Sequence, residues 1–255
     1  MIRVQEAKTI IKNQIFPSEM ENVPLSKAEN RVLTQDVTAT FPMPRFDNSA
    51  MDGFAVRAVD TQGANQSHPV SLKIVGISSA GTPSDVTLGS GECIQCMTGA
   101  KIPVGADTVV MVEDTSGFSE PDAVKIFLEV HPGKHIRKKG EEIRERDVLI
   151  SKGTRISPSE IGILASFGYG DISVAKKPRI AIFGTGDELV EPGNELESGE
   201  IYNSNLFVFA ELVEKAGGEV TIRNVIKDDK DALRSFLSKA LETCDVIISS
   251  GGVSM

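Results

Sequence analysis

Between Asp47 and Asp52 the chain sets two carboxylates, the Asn48 amide and the Ser49 hydroxyl directly before Gly53 and an apolar run, Phe54-Ala55-Val56. So dense a polar cluster beside a glycine is a turn. Its side chains either bond their own backbone, as Asx turns do, or face a ligand, and residue types alone leave both readings open. A second kind of chemistry lies in two loops of small residues, Gly184-Thr185-Gly186-Asp187-Glu188 and Ser249-Ser250-Gly251-Gly252-Val253-Ser254. Such loops let backbone N–H groups approach a phosphate closely, and their hydroxyls add donors. Taken singly, each is also ordinary punctuation after a strand. As a pair at one sheet edge they favour a ligand crevice. Asp187 and Glu188 add adjacent carboxylates suited to a hard cation such as Mg²⁺ shared with a phosphate. No Gly-Lys-Ser/Thr follows, so neither loop is a Walker A motif. Asp228 and Asp229 read equally as a charge pair at a helix N-terminus and as ligand contacts at the same edge.

The elements that must position these residues follow from periodicity. Val4, Ala7, Ile10, Ile11 and Ile15 share one helical face, and Ser26 with Glu29 predicts a second short helix. From Val70 the texture changes to short runs broken by Gly and Pro, over 70–77, 92–97, 107–113 and 123–130, which predicts a small β domain. Ser157-Pro158-Ser159-Glu160 supplies an N-cap, a Pro at the first helical position and a capping-box Glu, with the stop near Gly168. Beyond Lys177-Pro178 come a strand at 179–183, a helix over 204–216, a strand at 219–226, a helix over 230–243 and a strand at 245–250. Strand and helix alternating on short connections predict a parallel, doubly wound sheet. Ligands of such sheets bind outside the C-terminal strand ends, where the two glycine loops lie. Three strands are few for that fold, and the last loop runs to Met255. The chain therefore reads as part of a longer one, cut at this loop and by itself without activity.

Composition narrows the function classes. With 40% apolar and 25% charged residues the chain is an ordinary globular one of 255 residues, long enough for several domains. A net charge of -9 without a long basic stripe argues against a nucleic-acid binder, while a local pocket can still take an anion. No apolar run approaches the roughly 18 residues of a membrane span. Three cysteines and no leader-like segment after Met1 predict a reduced, cytoplasmic setting. Cys93 and Cys96 form a C-x-x-C, but in a strand they face opposite sides, so packing is expected rather than metal or redox chemistry. His131 and His135 lack any partner spacing for a metal and read as loop residues.

The literal string Pro42-Met43-Pro44-Arg45-Phe46-Asp47-Asn48-Ser49-Ala50-Met51-Asp52-Gly53-Phe54-Ala55-Val56-Arg57 resembles the signature segment of the molybdopterin molybdenumtransferases, the MoeA and gephyrin E-domain family. Gly184–Leu189, Gly199–Asn205 and Asp245–Met255 resemble its pterin-binding edge, the last also being similar to the sister adenylyltransferase domain. The resemblance spans the whole chain. It implies an α/β multidomain protein: an elongated helix/strand domain (1–49 and 132–176), an inserted small β domain (50–131) and a partial doubly wound α/β domain (177–255). It implies insertion of molybdenum from molybdate into adenylylated molybdopterin with release of AMP, in a homodimer, with substrate handed over from the adenylyltransferase of the pathway. Asp52 and Thr98 would act in a crevice shared with the partner copy, together with Glu188 and Asp228. Gly184, Thr185, Gly186, Asp187, Asn203, Ser249, Ser250, Gly251 and Gly252 would hold the ligand, and Asp187 with Glu188 the Mg²⁺. The family segment Gly-Glu-Asp corresponds to Gly140-Glu141-Glu142, so Glu142 keeps the carboxylate with one more methylene. A receptor-anchoring scaffold of gephyrin type and the adenylyltransferase step are the alternatives. Residues before Pro178 speak against the second.

Overall fold

Residues with alternating or continuous apolar character collapse into a five-stranded sheet in the middle of the chain. In this computed structural model, which describes residues 2–15 and 18–251, the strands are β1 (Gly53–Val56), β2 (Val70–Ser78), β3 (Glu92–Cys96), β4 (Thr108–Met111) and β5 (Ala123–Ile126), in the order β4-β1-β3-β2-β5. Antiparallel pairing holds throughout except between β2 and β3, which run parallel. Both faces of the central strands are covered. Phe54, Val56, Leu72, Cys93, Val110 and Ile126 pack in one layer, and Ala55, Cys96, Ala100 and Val109 in another. Cys93 and Cys96 thus lie on opposite faces, as the two-residue period of a strand requires. Burial pushes their thiols up to about 12 and about 11, so both stay protonated and act as packing. At Gly53 a Cβ would fall 1.9 Å from the Val110 carbonyl oxygen, so only glycine lets β1 pair with β4.

This sheet belongs to a compact unit of residues 38–149; the remaining residues form the other. The unit takes in the flanking pair of Asn48–Ser49 with Ile136–Arg137. In the other unit, helix α1 (Val4–Asn13) carries its apolar residues on one face as expected, yet none of its residues is buried. The helix expected at Ser26 is instead a single 3-10 turn, Leu25–Lys27. Asn30 follows in a left-handed conformation (φ 63°), and Asn30 and Leu33 donate their N–H groups to Ile156 and Thr154, which ends any helix. Helix α2 (Pro158–Ser166) starts on the expected capping box between Ser157 and Glu160.

The α/β portion follows its sequence pattern closely. Strands β6 (Arg179–Thr185), β7 (Glu219–Ile226) and β8 (Val246–Ser250) are all parallel, in the order β7-β6-β8, with helices α3 (Asn205–Ala216) and α4 (Lys230–Thr243) between them. Helix α3 stops at Gly217 in the left-handed conformation (φ 95°), the usual glycine stop. At the N-terminal edge the Arg179 guanidinium and backbone N–H donate to Asp245, and the Asp245 N–H donates back to the Arg179 carbonyl at 2.8 Å. This pins the β6–β8 register. Among the described residues no helix is long and apolar enough to cross a membrane.

Because the sheet layers close within residues 38–149, that segment expressed alone is expected to unfold in one cooperative thermal transition. Loss of near-UV dichroism or a non-cooperative melt would show that it depends on the rest of the chain.

Candidate functional site

Strand order marks the C-terminal ends of β6 and β8 as the place for a ligand crevice. The chain leaves β6 through α3 to β7 on one side, then returns through α4 past β6 to β8 on the other. The C-terminal ends of β6 and β8 therefore flank the point where the winding reverses, and neither crossover helix starts over both. Gly184 sits opposite Ser250 in the ladder. A Cβ on Gly184 would meet Leu189 Cδ1 at 3.3 Å and the Ser250 carbonyl at 3.8 Å. Gly186 (φ 151°) and Gly251 (φ 100°) turn the two loops in conformations that favour glycine, and a Cβ on Gly251 would lie 3.4 Å from the Thr185 carbonyl and Oγ1. Thr185, Ser249 and Ser250 supply hydroxyls at this edge. Gly252 lies outside the described residues.

The acidic groups lie on the same rim. Asp187 and Glu188 are exposed, and the Glu188 carboxylate folds back over Gly186, where a Cβ would come 2.5 Å from Glu188 Oε2. Asp228 comes beside Asp187 through its backbone N–H, which donates to Asp187 Oδ1 at 3.3 Å. Asp229 caps α4 by accepting from the Ala232 N–H at 2.7 Å, which assigns it the structural half of the two readings. No three His, Cys, Asp or Glu side chains converge on one point among the described residues. The oxygen donors present suit Mg²⁺ in the way such ions are commonly held, by one or two carboxylates with phosphate oxygens and water completing the shell.

Two asparagines of the Tyr202-Asn203-Ser204-Asn205 segment face opposite ways. Asn203 is 2% exposed. Its amide donates to Glu191 Oε1 at 3.0 Å and its oxygen accepts the Leu206 N–H at 3.4 Å. Its side chain braces the loop and the start of α3. Asn205, exposed, instead donates from Nδ2 to Ser250 Oγ at 2.9 Å, joining α3 to the end of β8. Spacing did not single out Asn205, because that contact exists only once β8 is placed beside β6.

In the unit of residues 38–149, Asp52 and Thr98 meet directly. Asp52 Oδ1 accepts both the Thr98 N–H (2.7 Å) and its Oγ1–H (2.8 Å). These bonds, the backbone one first, hold the Asp52 carboxyl below its usual range although it is exposed. The Thr98 proton is therefore committed to Asp52, and the hydroxyl offers lone pairs outward. The basic run is partly structural: Lys138 Nζ and the Lys139 N–H bind the Asp47 carboxylate at 2.9 and 2.8 Å. His135 Nδ1 meets the Val109 carbonyl at 3.0 Å, and Glu142 is exposed with its N–H on the Met43 carbonyl.

Comparison with known proteins accounts for both units. Residues 2–168 match the family model described as the MoeA N-terminal region (domain I and II), and residues 181–255 that of a probable molybdopterin binding domain. The molybdopterin molybdenumtransferase of Staphylococcus aureus is 41% identical over 254 residues, and molybdopterin molybdenumtransferase 2 of Mycobacterium tuberculosis 37%. Each alignment covers all of this chain; the chain spans about 60% of the length of these curated relatives. The crystal structure of the molybdopterin biosynthesis MoeA protein of Pyrococcus horikoshii superimposes with a TM-score of 0.89 at 33% identity, covering all of this chain and 67% of that one.

The Asp52–Thr98 pair makes a direct prediction. Thr98→Val removes the hydroxyl bond and leaves the N–H bond, so the Asp52 pKa should rise toward the ordinary carboxylate value in a carboxyl ¹³C titration. A depressed carboxyl stabilises the fold above its unfolded pKa, and that stability fades as pH falls through the folded value. The variant should therefore lose less stability on acidification than the wild type. An unchanged Asp52 titration would contradict the bond.

Proposed function

As the chain belongs to the MoeA family, we propose that it serves the final step of molybdenum cofactor assembly, cleaving adenylylated molybdopterin to release AMP as molybdate delivers its metal to the dithiolene. The observation that carries this reading is the pair of glycine loops at the β6–β8 reversal, bordered by Asp187 and Glu188. A pyrophosphate-bearing substrate suits that edge. The loops of small residues that follow β6 and β8 would cradle the phosphates, with the Thr185 and Ser250 hydroxyls as donors. Asp187 and Glu188 would hold a divalent cation such as Mg²⁺, which when bound neutralises charge on the leaving phosphate. Asp228 orients Asp187 through its backbone. The residues chiefly position two reactants, which is where such a reaction gains most of its rate.

The proposed assembly is a homodimer in which Asp52 and Thr98 of one copy serve the crevice of the other. The unburied face of α1 supports a partner: ten residues of isolated helix are marginal in water and need a surface to pack on. The proposed layout keeps three parts: 1–49 with 132–176, 50–131, and 177–255. A cytoplasmic setting, with substrate received from the pathway's adenylyltransferase, completes the reading. The match of residues 2–168 supports the transferase over the adenylyltransferase, which resembles only the last third of the chain.

The test uses a protein in which residues 1–255 continue into the C-terminal part of the S. aureus relative. AMP release from adenylylated molybdopterin should require molybdate, whereas ATP-dependent adenylylation of molybdopterin would support the sister reaction instead. Asp52→Ala and Glu188→Ala homodimers should each be inactive. Their doubly tagged heterodimer should recover about half of the activity, because two-fold symmetry gathers both lesions in one crevice and leaves the other intact. A folded heterodimer that stays inactive would place Asp52 and Glu188 in the same chain's site.

A further inference from the structure

We propose that Asn205 is a positioning residue that aims the hydroxyl proton of Ser250 into the crevice. This rests on the reading of that crevice as an oxyanion site. A serine hydroxyl carries one proton and two lone pairs, and it rotates to suit its neighbours. Asn205 Nδ2 donates to Ser250 Oγ at 2.9 Å, which occupies a lone pair and forbids the proton from pointing back at the amide. The proton must then turn away from Asn205, and the next residue, Gly251, opens the loop edge where an added Cβ would lie 3.4 Å from Thr185 Oγ1. A hydroxyl that already accepts a hydrogen bond is also a stronger donor, because chains of such bonds polarise one another. The two asparagines of one segment thus divide the work. Asn203 secures the loop below, and Asn205 sets the direction of a proton above it.

The contact has a second consequence. Asn205 is the first residue of α3, and Ser250 ends β8. One bond therefore couples the helix that follows β6 to the loop that follows β8, across the reversal point. Loss of the bond frees the hydroxyl rotor, whereas reversal of its polarity turns the proton away from the ligand.

Asn205→Asp performs that reversal. A carboxylate only accepts, so it draws the Ser250 proton to itself and leaves a lone pair facing the anion. Folding should not suffer, since a carboxylate in the first turn favours a helix and Asn205 is exposed. The probe is inorganic pyrophosphate, titrated calorimetrically into the 255-residue chain and its variants, with near-UV dichroism as the folding control. Asn205→Asp should weaken binding tenfold or more, the scale of a lost hydrogen bond to a charged group. In a Ser250→Ala background the same substitution should cost markedly less, because only its added charge remains. Asn205→Ala should weaken binding less than Asn205→Asp in the native background. Equal effects of Asn205→Asp with and without the Ser250 hydroxyl would mean charge alone acts, and the positioning role would be overturned while the crevice stood. If the wild-type chain binds no pyrophosphate, the reading of the crevice fails first and the inference falls with it.

Discussion

A parallel sheet whose second crossover passes back over its first strand leaves two neighbouring C-terminal strand ends uncovered, and the candidate site depends on that constraint. Order β7-β6-β8 puts Gly184 opposite Ser250, and everything else at the edge follows from that register. It brings the Gly186 and Gly251 turns side by side and lets Asn205 reach Ser250. The register is held from the far end, where Arg179 and Asp245 exchange backbone and side-chain bonds at the start of the same two strands. The ion pair is half exposed and of modest energetic worth, so its contribution is alignment.

The other unit solves a different problem. Gly53 lets β1 come so close to β4 that any Cβ would strike the Val110 carbonyl, and this close pairing places Asp52 at the strand's entry. There its carboxylate closes on Thr98 at the end of β3. Asp47 is engaged by Lys138 and the Lys139 backbone in the same way. The carboxylates of the polar motif are therefore tied to distant segments rather than to their own turn, and Asp52 stays exposed. One oxygen of Asp52 is committed to Thr98, which fixes the direction of the other.

Local chemistry was legible in the sequence where a single element decided it. The capping box at Ser157, the Gly217 stop, the β7 and α4 spans and the opposite faces of Cys93 and Cys96 all follow from patterns within a few residues. Ser26 misled because its cap signal competes with pairing of residues 30–33 to the distant 154–156 segment, a tertiary term absent from local propensity. The parallel β2–β3 pair could not be read either, since the connection over 79–91 carries no helix to announce a crossover. At the site, residue types were legible but hydrogen-bond polarity was not. Whether Asn203 braces a loop, Asn205 aims a hydroxyl or Thr98 gives away its proton depends on neighbours far along the chain.

The central claim is that the β6–β8 reversal binds the phosphates of the substrate, and a crystal soaked with AMP and Mg²⁺ tests it most directly. The account predicts phosphate density at the glycine loops after β6 and β8, within reach of the Thr185 and Ser250 hydroxyls, with the cation near Asp187 and Glu188. Phosphate density elsewhere on the chain, with both glycine loops empty, would contradict it.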